Sequence, residues 1–292
     1  FGAVLRRLLD ARTIDAVSLV EPEPATWDDL ALVHTQAYLD KARSGVFRPS
    51  ELAQLEMPWS ASMAEGFRLM AGGSVTAARL ALDDAARAAG PAGSPPEARR
   101  LAVSAHLGGG FHHAFPDHGE GFCLYNDVAL AVRVLQRDAL VERATVVDCD
   151  VHQGNGTAFI FRDDPTVFTL SIHQEHNYPS SKPPSSLDVG LADGTGDEEY
   201  LAALERALPA AMASGPGVII YVAGADPFID DKLGGLCLTR EGLRQRDRLV
   251  LETARRAGVP VALVLSGGYA RHLDDTAAIH AATIEEAARI SI

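Results

Sequence analysis

The sequence predicts an α/β fold: a parallel sheet covered on both faces by helices. Strand-like apolar runs alternate with helical patterns along the chain. Those runs are continuous in polarity, as strands buried on both faces require. A third observation links fold to function, because the unusual polar residues sit where the runs end. The chain has 292 residues, 47% hydrophobic and 22% charged, enough to bury a core without disulfides. No internal repeat or low-complexity tract divides it, so residues 1–292 read as a single domain.

Residues 14–20 alternate weakly and read as a strand. A helical pattern opens at Asp28-Asp29 and runs through Leu30, Leu32, Val33, Tyr38 and Leu39, with His34 inside it as a packed or surface residue. Residues 49–58 connect. Residues 63–89 carry Ala, Leu and Met at helical spacing, interrupted by Gly72-Gly73, and read as a buried helix with Met63 and Met70 as core filler. Residues 90–96 form a Gly/Pro loop. Residues 101–105 are a short strand that runs into Gly108-Gly109-Gly110-Phe111-His112-His113. The glycines let backbone approach something closely. Two adjacent histidines on irregular backbone can face one cleft, whereas on a helix or strand they diverge. After a loop over 114–121, Asn126 or Asp127 caps a helix over 128–135.

The most informative stretch follows the strand 144–147: Asp148-Cys149-Asp150-Val151-His152-Gln153-Gly154-Asn155-Gly156-Thr157. In extended backbone Asp148, Asp150 and His152 point the same way. Two carboxylates and an imidazole are costly to desolvate unless paired or bound to a cation, and they suit Zn²⁺ or another divalent first-row metal. The competing reading makes Asp148 and Asp150 turn caps and His152 a hydrogen-bonded core residue.

Residues 166–172 form a strand ending at His173, and residues 174–188 an irregular loop of a length that is usually functional or mobile. A helix spans 195–213. The strand 218–222 runs into Gly224-Ala225-Asp226-Pro227. Thr239 caps a helix reaching residue 257, with Glu241 facing the positive end of its dipole. The strand 261–265 ends in Ser266-Gly267-Gly268-Tyr269, and residues 276–290 form a terminal helix.

Ligands of open α/β sheets bind outside the carboxyl ends of the strands. His112 and His113 follow one strand, and Asp148, Asp150 and His152 another. Ser171 and His173 close a third, Asp226 follows a fourth and Tyr269 a fifth. Each alone has a bland reading; together on one rim they point to one site. The inventory is that of metal-assisted hydrolysis: carboxylates and a histidine for a metal with an open position, a histidine pair for general base and acid, and a tyrosine on a Gly-flanked turn for an oxyanion. No Gly-x-Ser-x-Gly elbow occurs, Cys149 sits between two aspartates that blunt it, and the Gly-rich turns lack the Gly-Lys-Ser/Thr of phosphate loops.

The formal charge of −13 argues against nucleic-acid binding through a basic surface. Three cysteines without CxxC spacing read as reduced thiols of a cytoplasmic protein. No run reaches the length of a membrane span and no secretory signal opens the chain. Phe1 stands where Met is expected, so residues preceding it are anticipated.

These motifs resemble the zinc-dependent histone deacetylase superfamily. The resemblance rests on Gly108-Gly109-Gly110-Phe111-His112-His113, Gly121-Phe122-Cys123, Asp148 to Thr157, Gly224-Ala225-Asp226-Pro227 and Ser266-Gly267-Gly268-Tyr269. The Gly-Gly-Gly-Phe-His-His form is most similar to the class IV branch and its bacterial relatives. The resemblance implies an arginase-like three-layer domain with a mostly parallel eight-stranded sheet. It implies Asp150, His152 and Asp226 as Zn²⁺ ligands, with Fe²⁺ also fitting them. It moves Asp148 out of the ligand set, to orient His112. A structural K⁺ is implied near Asp148, Asp150, His152, Ser171 and Ile172. His113 becomes the general base, oriented by Asn155 where some branches carry aspartate; His112 is its electrostatic partner and Tyr269 the oxyanion donor. Gly110, Phe111, Gly121, Phe122, Tyr178, Gly267 and Gly268 would line the substrate tunnel. The implied substrate is an acetyl- or longer acyl-lysine in a protein or peptide, or else an acetylpolyamine or other small acylated amine. Two further readings are a non-catalytic acyl-lysine binder and an arginase-like hydrolase with two Mn²⁺ ions.

Overall fold

The computed structural model describes residues 1–88 and 100–291, so the Gly/Pro loop expected over 90–96 lies outside the described residues. Helices α1 (Gly2–Asp10), α2 (Trp27–Leu30), α3 (Gln36–Ser44), α4 (Pro49–Leu55) and α5 (Ala61–Ala88) precede the sheet. Then follow β1 (Val103–His106), α6 (Asp127–Arg137), β2 (Ala144–Asp148), α7 (Asn155–Phe161), β3 (Val167–Gln174) and β4 (Leu187–Leu191). The chain continues through α8 (Asp197–Ala213), β5 (Val218–Val222), α9 (Arg240–Ala257), β6 (Val261–Val264) and α10 (Leu273–Ile290).

The strands form one sheet in the order β1-β6-β5-β2-β3-β4, and every pairing is parallel. Successive residues of the central strands bury opposite faces. Ile219 and Tyr221 join the cluster that includes α8, α9 and α10, whereas Ile220 and Val222 join the cluster that includes α5 and α6. This two-sided burial is why the strands read as unbroken apolar runs.

The expected eight strands are six among the described residues. Residues 14–20 are not a strand. Asp15 Oδ1 accepts the Ser18 amide at 2.9 Å and the Asp15 amide donates back to Ser18 Oγ, closing a local box around a short 3₁₀ turn. Val17 is 91% exposed, so no sheet edge reaches it. The helix expected through residues 28–39 is two helices. The Thr35 amide donates to the Pro116 carbonyl, and the Thr35 hydroxyl caps α3 by accepting from Tyr38 N at 3.3 Å. Conversely, α5 runs straight through Gly72-Gly73, because those missing side chains let the Glu23–Ala25 segment and the His106 ring lie against the helix. β4 lies partly inside the stretch expected to be irregular. Among the described residues, no helix is long and apolar enough to cross a membrane.

Candidate active site

The segments that follow β1, β2, β3, β5 and β6 converge, with the loop carrying Gly121 and Phe122, on a cavity of about 480 Å³. After β1 the chain turns through Gly109 and Gly110, with φ of +74° and +83°, a region that favours glycine. Asp127 holds this turn by accepting the Gly110 and Phe111 amides at 2.9 and 2.6 Å. Ser74 donates to the same carboxylate and bonds the His106 ring. The three glycines open no space. A side chain at Gly108 would strike Met70, one at Gly109 would strike Asp127 and Ser74, and one at Gly110 would strike Ser266. They are there for close packing, which sets His112 and His113 side by side with ring centroids 4.1 Å apart.

Asn126, the cap of α6, fastens this loop from behind. Its Oδ1 accepts the Ala129 amide, while its Nδ2 donates to the His112 and Ala114 carbonyls at 3.3 and 3.0 Å. The Asn126 amide in turn donates to His34 Nε2 at 3.1 Å, and His34 Nδ1 donates to the Phe115 carbonyl at 3.0 Å. His34 is thus a fully engaged neutral ring, and burial pulls its pKa down to about 4 against weaker opposition from the Phe115 and Pro116 backbone. The unfolded ring titrates near 6.5, so below that pH the unfolded chain binds the extra proton. The stabilisation is therefore complete above pH 6.5 and is lost as pH falls toward 4, by at most about 3 kcal/mol. Urea unfolding of wild type and His34→Gln between pH 7 and 4.5 checks this. The variant is expected to be less stable at pH 7 and flatter in pH; equal slopes would contradict the assignment.

β2 stops at Asp148. The backbone then turns, because Asp148 Oδ1 accepts the Asp150 amide at 3.1 Å and Asp150 Oδ1 accepts the His152 amide at 3.0 Å. The alternation expected of an extended chain ends there, and Asp148 parts company with the other two. Its Oδ2 lies 2.7 Å from His112 Nδ1. Asp150 and His152 are joined instead by Asp226 from beyond β5: ligand atoms of the three lie within 4.8 Å of one another, all buried. The fully buried Arg246 braces the two strand ends by donating to the Cys149 and Gly224 carbonyls at 3.3 and 2.5 Å.

The three groups fit a divalent cation. Asp226 Oδ1 accepts the Val151 amide at 2.9 Å, but its buried Oδ2 has no hydrogen-bond partner. The nearest basic atom, His152 Nδ1, is 3.5 Å away. Burial and the neighbouring Asp150 push the Asp226 carboxyl up to about 7. Burial opposes a charge on His152, yet its bond to Asp150 and the negative charge of the nearby Asp226 raise it to about 10. A proton is drawn in where a cation is wanted. Two carboxylates and one imidazole are a hard-to-borderline donor set suited to a first-row ion with open positions.

The remaining groups face this cluster. Burial opposes charge on His112 too, but Asp148 and Asp150 raise it to about 9, whereas burial and the charges of His112 and His152 hold His113 well below its ordinary value. His113 Nδ1 lies 2.7 Å from Asn155 Oδ1. Tyr269 lines the cavity with Phe122, ring centroids 6.1 Å apart. Tyr178 stands edge-on to His113 at 5.0 Å. Gly110, Phe111, Gly121 and Gly267 also line it, but Gly268 packs against Thr276 and Ala225, away from the lining. Ser171 is the register partner of Asp148, and its hydroxyl pairs with His173 Nδ1 at 3.0 Å. Met57, Phe67, Leu233 and Ser266 line the cavity as well; nothing in their local sequence marks them, except that Ser266 heads the Gly-Gly-Tyr turn.

A family model described as the histone deacetylase domain matches residues 1–285. An uncharacterised protein of Picosynechococcus sp. is 40% identical over 92% of this chain and 84% of its own length. Histone deacetylase 2 of Arabidopsis thaliana is 30% identical over 99% of this chain and 72% of its own. A histone deacetylase-like amidohydrolase of Pseudomonas aeruginosa is 29% identical over 91% and 70%. Among solved structures, that of an HDAC homologue complexed with SAHA superposes with a TM-score of 0.78 at 27% identity, covering 97% of this chain and 77% of that one. Sheet order, converging strand ends and these matches lead to one conclusion: the chain belongs to the histone deacetylase family.

Proposed function

We propose that this protein is a zinc-dependent amide hydrolase that removes acyl groups from lysine side chains. One observation carries the reading: the buried Asp150–His152–Asp226 group opens into an apolar cavity together with a histidine pair and a tyrosine. A divalent ion held by those three residues supplies Lewis acidity toward the amide carbonyl and toward water. The protein's own groups do the rest. His113, neutral and buried, takes the proton of the attacking water and then delivers it to the departing amine. His112, held charged by Asp148, keeps His113 neutral until that moment and offsets negative charge as it develops. Tyr269 donates to the oxyanion. Phe122, Tyr178 and Phe111 give an apolar passage for the lysine methylenes.

The class IV placement rests on the Gly-Gly-Gly-Phe-His-His form. The structural K⁺ rests on the resemblance and on Ser171 lying in register beside Asp148. Unpaired cysteines fit a reducing, cytoplasmic compartment. Steady-state rates on acetyl-lysine peptide, myristoyl-lysine peptide and acetylspermidine test the reading. The expected result is hydrolysis of the lysine amides, with kcat/KM on at least one peptide about tenfold or more above that on acetylspermidine. The reverse order would move the substrate to small acylated amines. Binding of all three without hydrolysis would make the protein an acyl-lysine binder.

A further inference from the structure

His113 meets the rest of the site through an amide, not a carboxylate. Its Nδ1 lies 2.7 Å from Asn155 Oδ1, and Asn155 Nδ2 donates to Glu120 Oε1 at 2.6 Å. A carboxylate only accepts, so Glu120 requires the amide nitrogen on its own side and turns Oδ1 toward His113. That oxygen also only accepts, so His113 carries its proton on Nδ1 and leaves Nε2 free. The opposite side agrees: His112 commits its Nδ1 to the Asp148 carboxylate, which only accepts, so its Nε2, 3.1 Å from His113 Nε2, is the edge through which the two rings share a proton. Both neighbours specify the tautomer that a base needs.

Glu120 is anchored for this task. It sits in a tight turn in which Glu120 and Cys123 exchange backbone hydrogen bonds, and the turn is tied to α4 by the Gly121 and Phe122 amides donating to the Gln54 and Leu55 carbonyls. Its other oxygen accepts from Gln54 Nε2 at 3.0 Å and lies 3.5 Å from His118 Nε2. Burial would raise this carboxyl, but bonds from His118, Asn155, Gln54 and Tyr178 outweigh it and keep the group below its ordinary value. Glu120 is not among the residues lining the cavity, so it acts on the chemistry through Asn155.

We propose that Glu120 is a positioning residue of the hydrolytic site: it fixes the Asn155 amide, and through it the Nδ1–H form of His113. It serves at one remove as the carboxylate that position 155 lacks. The proposal rests on His113 being the base of the amide hydrolase.

The test uses the zinc-loaded protein. Glu120→Leu removes the acceptor, and kcat is expected to fall about tenfold or more, as for other residues that orient a site from behind, with KM and zinc content unchanged. Glu120→Gln keeps an oxygen for Asn155 and is expected to recover most of that loss. In an Asn155→Asp background the sign reverses. Asp at 155 gives His113 its own carboxylate, and Glu120 then meets it as a like charge, so adding Glu120→Gln raises kcat. A residue that merely held the turn would not change sign. Nitrogen-15 spectra of the imidazoles give a readout independent of turnover: His113 in a single Nδ1–H form in wild type, and mixed with the Nε2–H form in Glu120→Leu. If wild type hydrolyses no acyl amide, the hydrolase reading fails and the spectra alone decide the relay. His113 remaining wholly Nδ1–H in Glu120→Leu, or equal effects in both backgrounds, would overturn the proposal.

Discussion

Tyr269→Phe is expected to lower kcat by about a hundredfold to a thousandfold while KM stays within a few-fold, as loss of a donor used only in the transition state requires. The substitution removes one oxygen and nothing that builds the turn. The Tyr269 amide still donates to Asp231 Oδ2 at 2.6 Å, and the ring still stands beside Phe122. Burial, together with Asp150 and Asp226, raises the phenol above its ordinary pKa, so it is a protonated donor throughout the neutral range. The residue is 38% exposed, so the fold does not depend on its hydroxyl. Steady-state kinetics on an acyl-lysine peptide checks this. Near-normal turnover would remove Tyr269 from the chemistry.

Asp226→Asn is expected to abolish metal retention and, with it, several kcal/mol of transition-state stabilisation, about a thousandfold or more in turnover. Its effect on the metal-free protein runs the other way. The buried Asp226 carboxylate faces Asp150, and its Oδ2 is unpartnered. Asparagine keeps the Oδ1 acceptor for the Val151 amide and removes a buried like charge. The metal-free variant is therefore expected to be at least as stable as the metal-free wild type, because relief of burial and of the Asp150 repulsion outweighs the lost attraction to His152. Metal content and thermal unfolding of both proteins check this pair of opposite effects. A variant that retains the metal, or that unfolds without it far below wild type, would show that Asp226 is structural.

What the sequence made legible follows from burial. β5 reads correctly to the residue, because Val218, Ile219, Ile220, Tyr221 and Val222 are buried on both faces. β4 was not legible: it is an edge strand with alternate exposure and with Asp188 and Gly190 inside it, so its composition is that of a loop. The strand reading of residues 14–20 fails for the opposite reason. Its alternation is real, but Asp15 and Ser18 satisfy each other locally. α7 hides in the Gly-rich segment after His152; Gly156 is needed there because a side chain would strike the Ala114 carbonyl.

The site divides in the same way. The rim of strand ends was visible because unusual polar residues mark it. That Asp226, and not Asp148, gathers with Asp150 and His152 was not, since residue alternation assumes an extended chain and the backbone turns at Asp148. Glu120 and Asn155 lie 35 positions apart, and no local pattern joins them.

One divalent ion, held by Asp150, His152 and Asp226, is expected to make this family member a hydrolase of acyl-lysine. Titrating Zn²⁺ into metal-free protein while following acetyl- or myristoyl-lysine hydrolysis tests it most directly. The expected result is no activity without metal and a linear rise that breaks at one equivalent per chain. Full activity in the metal-free protein, or a break at two equivalents, would contradict it.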